Sequence, residues 1–235
     1  MNAFVEIWYL GVYDFLRPDY GSVVLDVGAN VGIFTLRASA WVGNKGRVIA
    51  VEPLPNNFSL LRKNVLRNTL QNVTLVNKAV SDAMTPVMIE NNRPVTTTLD
   101  ELQSELEFSP IDCMKIDIEG YETHALEGAK QVLAMTRKLV IETHSSLLYR
   151  DTKFLLENAG FKVRTLAPAA LFSKLLRSVA TNPLPFGLAE IERALSWAEF
   201  KGPILWTPIR DMINKRGPDL LDSESELKII LAERT

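Results

Sequence analysis

One cysteine, Cys113, stands in the whole chain, so neither an intrachain disulfide nor a thiolate cluster can form. Neither sign of charge dominates: 26 basic against 28 acidic residues leave a formal net charge of −2. That balance lacks the electrostatic footprint of a dedicated nucleic-acid binder. No apolar run approaches the roughly 18–20 uninterrupted residues of a spanning helix. The first residues, "MNAFVEIWYLGVYDFLR", carry Glu6 early and no basic lead-in, which is unlike a secretory signal. These absences point to a soluble cytoplasmic protein with no membrane and no nucleic acid among its partners.

What is present is ordinary globular material, 47% hydrophobic and 23% charged over 235 residues, enough for one large α/β domain or one domain with an appendage. Residues 3–17 place Phe4, Ile7, Trp8, Val12, Phe15 and Leu16 at helical spacing before Arg17-Pro18 stops the run, predicting an amphipathic helix over about 1–18. Strand-like and helix-like segments then alternate. "SVVLDVG" reads as strand and 31–42 as helix, "GRVIAVEP" as strand and 55–69 as helix, and "NVTLVNKAV" as a third strand. A polar segment with weak strand character at "TPVMIE" and a short element at "TTLDEL" follows. "IDCMKIDIEG" reads as strand, 121–135 as helix, "KLVIETH" as strand, 146–159 as helix and "FKVRTL" as strand. Alternation of this kind implies crossover connections and a parallel sheet covered on both faces.

The pattern breaks at Pro168. Residues 168–225 hold half of the 12 prolines, helical fragments such as "AEIERALSWAEF", and Trp197 and Trp206. A segment this short and free of cysteine is hard to stabilise alone. It reads as a helical insertion between the last two strands, a substrate lid or an interface, with "LKIILAER" over 226–235 closing the sheet. The division expected is therefore an N-terminal helix, a cofactor-binding core over 20–167, the insertion and the last strand, all one domain.

The candidate ligand site is the glycine-rich bend in "VVLDVGANVGIFTLRASA", residues 23–40. Asp26 closes a buried strand, and Gly28, Asn30 and Gly32 fall at alternate positions before an apolar helical run. Three readings compete: a tight structural turn, a dinucleotide site, and a site for S-adenosylmethionine. The dinucleotide pattern wants a second glycine where Asn30 stands, so that a pyrophosphate can approach the backbone. Glu52, ending the second strand beside the bend, can accept from two ribose hydroxyls, which suits either cofactor.

Taken together, "VLDVGANVGIFT", "VIAVEPLPNNFSLLRKNV", "NKAVSD", "TTLDEL", "CMKIDIEGYETHALEGA" and "LVIETH" resemble the FkbM family of S-adenosylmethionine-dependent methyltransferases, over roughly residues 20–165. The resemblance implies the class I methyltransferase fold, a Rossmann-like seven-stranded sheet in the order 3-2-1-4-5-7-6 with helices on both faces and only strand 7 antiparallel. It implies an enzyme, most often one that methylates hydroxyl oxygens of sugars or small natural products. The 168–225 insertion departs from the family pattern. The resemblance and position give Asp26, Gly28, Ala29, Asn30 and Gly32 the methionine part of the cofactor. Glu52 takes the ribose, with Pro53 fixing the turn after it, and Ala79 and Val80 cradle the adenine.

Lys115, Asp117 and Glu119 alternate along "MKIDIEGYE" and share one face of the strand and its extension. Asp117 falls at the edge where a reactive methyl would sit, and Glu142 and His144 end the neighbouring strand on one face. These three are expected to converge on the acceptor. An alcohol must lose a proton, so His144 is the expected base, with Asp117 or Glu142 orienting it. A divalent cation held by some of Asp117, Glu119 and Glu142 is the less favoured route to the same end. Lys115 and Glu119 read as a solvated pair, His124 as a surface residue, Asp82 as an exposed turn aspartate and Cys113 as core. A nucleic-acid amino-methyltransferase would carry an N/D-P-P-Y/F run where "KIDIEGYE" stands. An NAD-dependent oxidoreductase, or a domain that binds cofactor or partner without turnover, is the alternative function.

Overall fold

The computed structural model describes residues 7, 13–82, 87–89, 91–108, 110–166 and 228–234. The expected N-terminal helix, apart from a 3-10 turn at Asp14–Leu16, and the whole 168–225 insertion lie outside them.

Seven strands form one mostly parallel sheet: β1 (Val23–Val27), β2 (Arg47–Val51), β3 (Val73–Val76), β6 (Ile111–Ile116), β7 (Thr136–Thr143), β8 (Lys162–Leu166) and β9 (Lys228–Glu233). Their spatial order is β3-β2-β1-β6-β7-β9-β8. β1 pairs in parallel with β2 and β6, β2 with β3, and β6 with β7, while β9 runs antiparallel to β7. Two further short strands, β4 (Ala79–Val80) and β5 (Thr96–Thr97), pair with each other in parallel.

Helices lie between the strands: α1 (Ile33–Val42), α2 (Pro55–Arg67), α3 (Leu99–Leu106), α4 (Glu122–Glu127), α5 (Lys130–Met135) and α6 (Ser146–Asn158). The central strands are buried on both faces, which is why β2 reads as a near-continuous apolar run rather than an alternating one, and β1 and β6 break theirs only at Asp26 and at Asp112 and Lys115. The alternation still sorts the two faces. Ile49 and Val51 join Leu25, Val27, Met114, Ile116, Leu139 and Ile141 in one cluster, whereas Ala50 between them packs with Leu61 and Val65 of α2. Cys113 is fully buried, and its thiol donates to the Leu16 carbonyl at 3.1 Å. Burial pushes that thiol up to about 12, so it is a core residue.

Two sequence expectations change. The single helix over 121–135 is two helices, because the chain at Gly128 is pressed against its neighbours. A Cβ there would meet the Ser81 carbonyl oxygen at 2.4 Å. The Asp100 carboxylate then accepts from Gln131 N at 3.1 Å and Val132 N at 2.9 Å, capping α5 from the side. The third strand likewise divides. Asn77 leaves the ladder and donates to the Glu52 carbonyl at 2.8 Å and the Pro53 carbonyl at 3.1 Å, so Ala79–Val80 pairs elsewhere.

Candidate active site

The bend after β1 is made of left-handed residues at alternate positions: φ is +82° at Gly28, +51° at Asn30 and +91° at Gly32. Only glycine adopts this region without cost, and asparagine tolerates it better than most residues. At Gly28 sterics add to the demand. A Cβ there would lie 1.8 Å from the Asp117 carbonyl oxygen, so the bend and the end of β6 touch backbone to backbone.

The bend's amides are engaged internally. Gly28 N and Ala29 N donate to the Val51 carbonyl at 3.0 and 2.9 Å, and Gly32 N to the Ala29 carbonyl at 2.8 Å. Asn30 N donates to Glu52 Oε2 at 2.8 Å, and Leu54 N to Glu52 Oε1 at 2.9 Å. A pyrophosphate needs free amides at such a turn, and these four are not free. What the bend offers is carboxylate and carbonyl oxygen, a donor-poor set that suits a ligand bearing ammonium and hydroxyl groups. Glu52, only 4% exposed, therefore does more than the sequence reading gave it. It locks the bend to the turn after β2, and each of its oxygens keeps a lone pair for a hydroxyl. Burial raises its pKa, opposed by those backbone donors.

Lys115 overturns its sequence reading. It is not half of a solvated pair but 4% exposed, on β6 directly across from Asp26 on β1. Its ammonium donates to the Gly28 carbonyl at 2.9 Å and lies 3.5 Å from Asp26 and 3.4 Å from Asp117. Burial works against its charge, but Asp117, Asp26 and Glu142 outweigh it and hold the lysine above its ordinary value. Asp26 is anchored on its other oxygen by the Thr35 hydroxyl at 2.6 Å. One cation thus joins the bend to the end of β6.

Asp117, Glu119, Glu142 and His144 gather at the carboxyl ends of β6 and β7. His144 Nε2 is 3.8 Å from Asp117 and 3.6 Å from Glu119, and its Nδ1 is 3.3 Å from Glu122. Glu122 foremost, then Glu119 and Asp117, push the imidazole up to about 9 against the effect of its burial. Glu142 accepts from the Tyr13 hydroxyl at 2.7 Å. Burial first, with the charge of Asp117, raises it to about 7. The carboxylate and imidazole atoms of Asp117, Glu119 and His144 lie within 4.8 Å of one another, as do those of the exposed trio Asp82, His124 and Glu127. Either spacing admits a bridging cation, and a proton on the histidine meets the same charge balance.

The sequence reading placed Asp117, Glu142 and His144 at one strand edge and missed Glu122 and Tyr13 beside them. Glu122 carried one signal, an acidic residue in the first helical turn after a glycine. Ala79 and Val80 are buried in the β4–β5 pairing, and Asp82 and His124 are half exposed on the surface. Among the described residues no helix is long and apolar enough to cross a membrane.

Residues 26–163 match the family described as the methyltransferase FkbM domain. The hexuronic acid methyltransferase AglP of Haloferax volcanii is 26% identical over 178 residues, covering 66% of this chain and 73% of that protein. A probable cobalt-precorrin-6B C(15)-methyltransferase (decarboxylating) of Sulfolobus acidocaldarius is 43% identical over 60 residues. That match takes in 26% of this chain and 31% of the relative's length. The crystal structure of methyltransferase FkbM from Methylobacillus flagellatus KT aligns at a TM-score of 0.56 with 20% identity, over 69% of this chain and 44% of that one. At that identity the likeness shows the fold.

Proposed function

The chain belongs to the FkbM family of S-adenosylmethionine-dependent methyltransferases, and from that premise we propose that it methylates a hydroxyl oxygen of a sugar or another small hydroxylated compound. The cofactor supplies an electrophilic methyl group, and transfer is an in-line displacement in which alignment does much of the work. In this reading Asp26, Gly28, Ala29, Asn30 and Gly32 surround the methionine part. Glu52 accepts from the ribose, Pro53 holds the following turn, and Ala79 and Val80 flank the adenine. The sheet is taken as the class I arrangement 3-2-1-4-5-7-6, with residues 168–225 inserted between its last two strands and available as a lid.

The observation that carries the hydroxyl is the proton-accepting edge of β6 and β7. A carboxylate acceptor needs no base and would meet Asp117, Glu119 and Glu142 as like charges. A hydroxyl is neutral and must shed a proton as the new bond forms, which a positioned base accelerates roughly 10²- to 10⁴-fold. In its neutral form, which the surrounding carboxylates confine to alkaline pH, His144 takes that proton through Nε2, while Asp117 and Glu142 hold the hydroxyl and balance the imidazolium that results. The relative from Haloferax volcanii is named for hexuronic acid, a compound with both hydroxyl and carboxyl groups, which supports a sugar-derived acceptor.

The test is methyl transfer from S-adenosylmethionine to a panel of neutral sugars, uronic acids and amines, with products resolved by mass spectrometry. An ether, stable to mild alkali, is the expected product. An alkali-labile ester, or methylation at carbon or nitrogen, contradicts the reading.

A further inference from the structure

Glu122 is the one wholly buried carboxylate of this edge that the hydroxyl reading leaves without a task. It opens α4 at 0% exposure. Its Oε1 accepts from Gly120 N at 3.1 Å and lies 3.4 Å from Ile118 N, so the backbone of the β6–α4 turn fixes where the carboxylate sits. The same oxygen is 3.3 Å from His144 Nδ1, within ion-pair reach but without hydrogen-bond alignment, so Nδ1 is buried with no hydrogen-bond partner among the described residues. The other oxygen of Glu122, Oε2, is likewise buried with no hydrogen-bond partner among them. A buried carboxylate left this bare is costly unless a cation stands against it, and His144 is that cation. Burial opposes the charge on Glu122, but His144 and the Gly120 amide prevail and hold it below the usual carboxylate range.

The consequence lies in the ring's orientation. An imidazole has two different nitrogens, and a charge facing one of them biases where the ring's proton sits and so what the other can do. With Nδ1 turned to Glu122, Nε2 is turned to Asp117 and Glu119, at distances too long for hydrogen bonds and open to a third group between them. Ser145 follows immediately and caps α6 by accepting from Leu148 N at 3.1 Å, which fixes the backbone that carries the ring. We propose that Glu122 is a positioning residue: when the ring is neutral, its buried carboxylate keeps the remaining proton on Nδ1 of His144 and leaves Nε2 as the nitrogen that meets the acceptor hydroxyl. The proposal rests on the hydroxyl reading for its catalytic meaning, and on the Glu122–His144 geometry for its structural meaning. Among the described residues, the charged groups facing the ring are Glu122 from α4, Asp117 and Glu119 from the β6–α4 turn, and Glu142 from β7 itself.

The chain has two histidines, so the imidazole ¹⁵N resonances of the full-length protein can be assigned with His124→Gln alone. In the wild type, the neutral form of His144 should carry its proton on Nδ1, and the ring should hold its charge well above the ordinary imidazole range. Glu122→Gln keeps an oxygen for the Gly120 amide and removes the charge. It should move the neutral ring's proton to Nε2 and lower the ring's proton affinity at least about tenfold, with His124 unmoved. With the methyl acceptor found as above, the same variant should lose kcat at least about tenfold with little change in KM, and its pH profile should shift acidward. A role confined to holding the turn predicts an altered melting temperature with the tautomer and pH profile of the wild type, and that result overturns the proposal. If the tautomer moves in Glu122→Gln while the wild type makes only esters or carbon-linked products, the hydroxyl reading fails and the positioning of His144 stands. Glu122→Asp shortens the reach to Nδ1 and should fall between the two in every readout.

Discussion

The bend after β1 and the edge formed by β6 and β7 are held by different physics. The bend is set by backbone: left-handed residues at alternate positions, amides tied to the Val51 carbonyl and to Glu52, and a glycine that only its own hydrogen can occupy beside Asp117. The edge is set by charge: Asp117, Glu119, Glu122 and Glu142 around His144, with Tyr13 tying down one carboxylate. A site shaped by backbone presents one fixed geometry to a ligand that is the same in every turnover. A site shaped by ion pairs changes with proton uptake, which suits the proton loss that the proposed hydroxyl acceptor requires. Lys115 joins the two, since its ammonium touches the Gly28 carbonyl on one side and Asp117 on the other.

The largest effect should come from the backbone side. Gly28→Ala forces a Cβ against the Asp117 carbonyl at a left-handed φ, and should destabilise by about 5 kcal/mol or abolish folding, as read by urea denaturation. Loss of only a few tenths would mean that the bend yields freely. Next is the joint between the regions. Lys115→Met leaves Asp26 and Asp117 without their cation and should cost about 3–5 kcal/mol, because breaking a buried pair exposes an uncompensated charge to a poor solvent. Adding Asp26→Asn should recover part of that loss.

Smaller in stability, Glu52→Ala frees the backbone donors of Asn30 and Leu54 and should weaken S-adenosylmethionine by roughly 10- to 100-fold, the worth of hydrogen bonds to a charged acceptor. Smaller again is a pH effect on stability. His144 binds its proton up to about 9 in the native state against 6.5 ordinarily. Its contribution is therefore complete below about 6.5 and lost as pH rises through 9. His144→Gln should flatten the denaturation midpoint over that window, and an unchanged slope would remove the charge account of this edge. The smallest, and a control, is Asp100→Ala, which uncaps α5 and should cost about 1 kcal/mol with no effect on cofactor affinity.

The bend was legible in the sequence because a left-handed backbone leaves a mark: it favours glycine and asparagine, which stand at 28, 30 and 32, whereas the left-handed Thr69, Glu107 and Glu119 carry no such mark. Asp117, Glu142 and His144 were legible as neighbours because strand alternation and parallel pairing bring them to one edge. Lys115 was not. Its burial follows from register, which sets it opposite Asp26, and register between strands nearly ninety residues apart in sequence leaves no local trace. Glu122 was hidden for a related reason, since its partner lies on another strand's end. The break between α4 and α5 was hidden because Gly128 looks like any helix glycine until the Ser81 carbonyl and the Asp100 carboxylate are placed beside it.

The most direct test of the division between the two regions is calorimetric titration of S-adenosylmethionine into the wild type, Glu52→Ala and His144→Gln. The account predicts that Glu52→Ala weakens binding at least about tenfold while His144→Gln leaves it close to the wild-type value. Equal weakening by both, or a larger loss from His144→Gln, would contradict it.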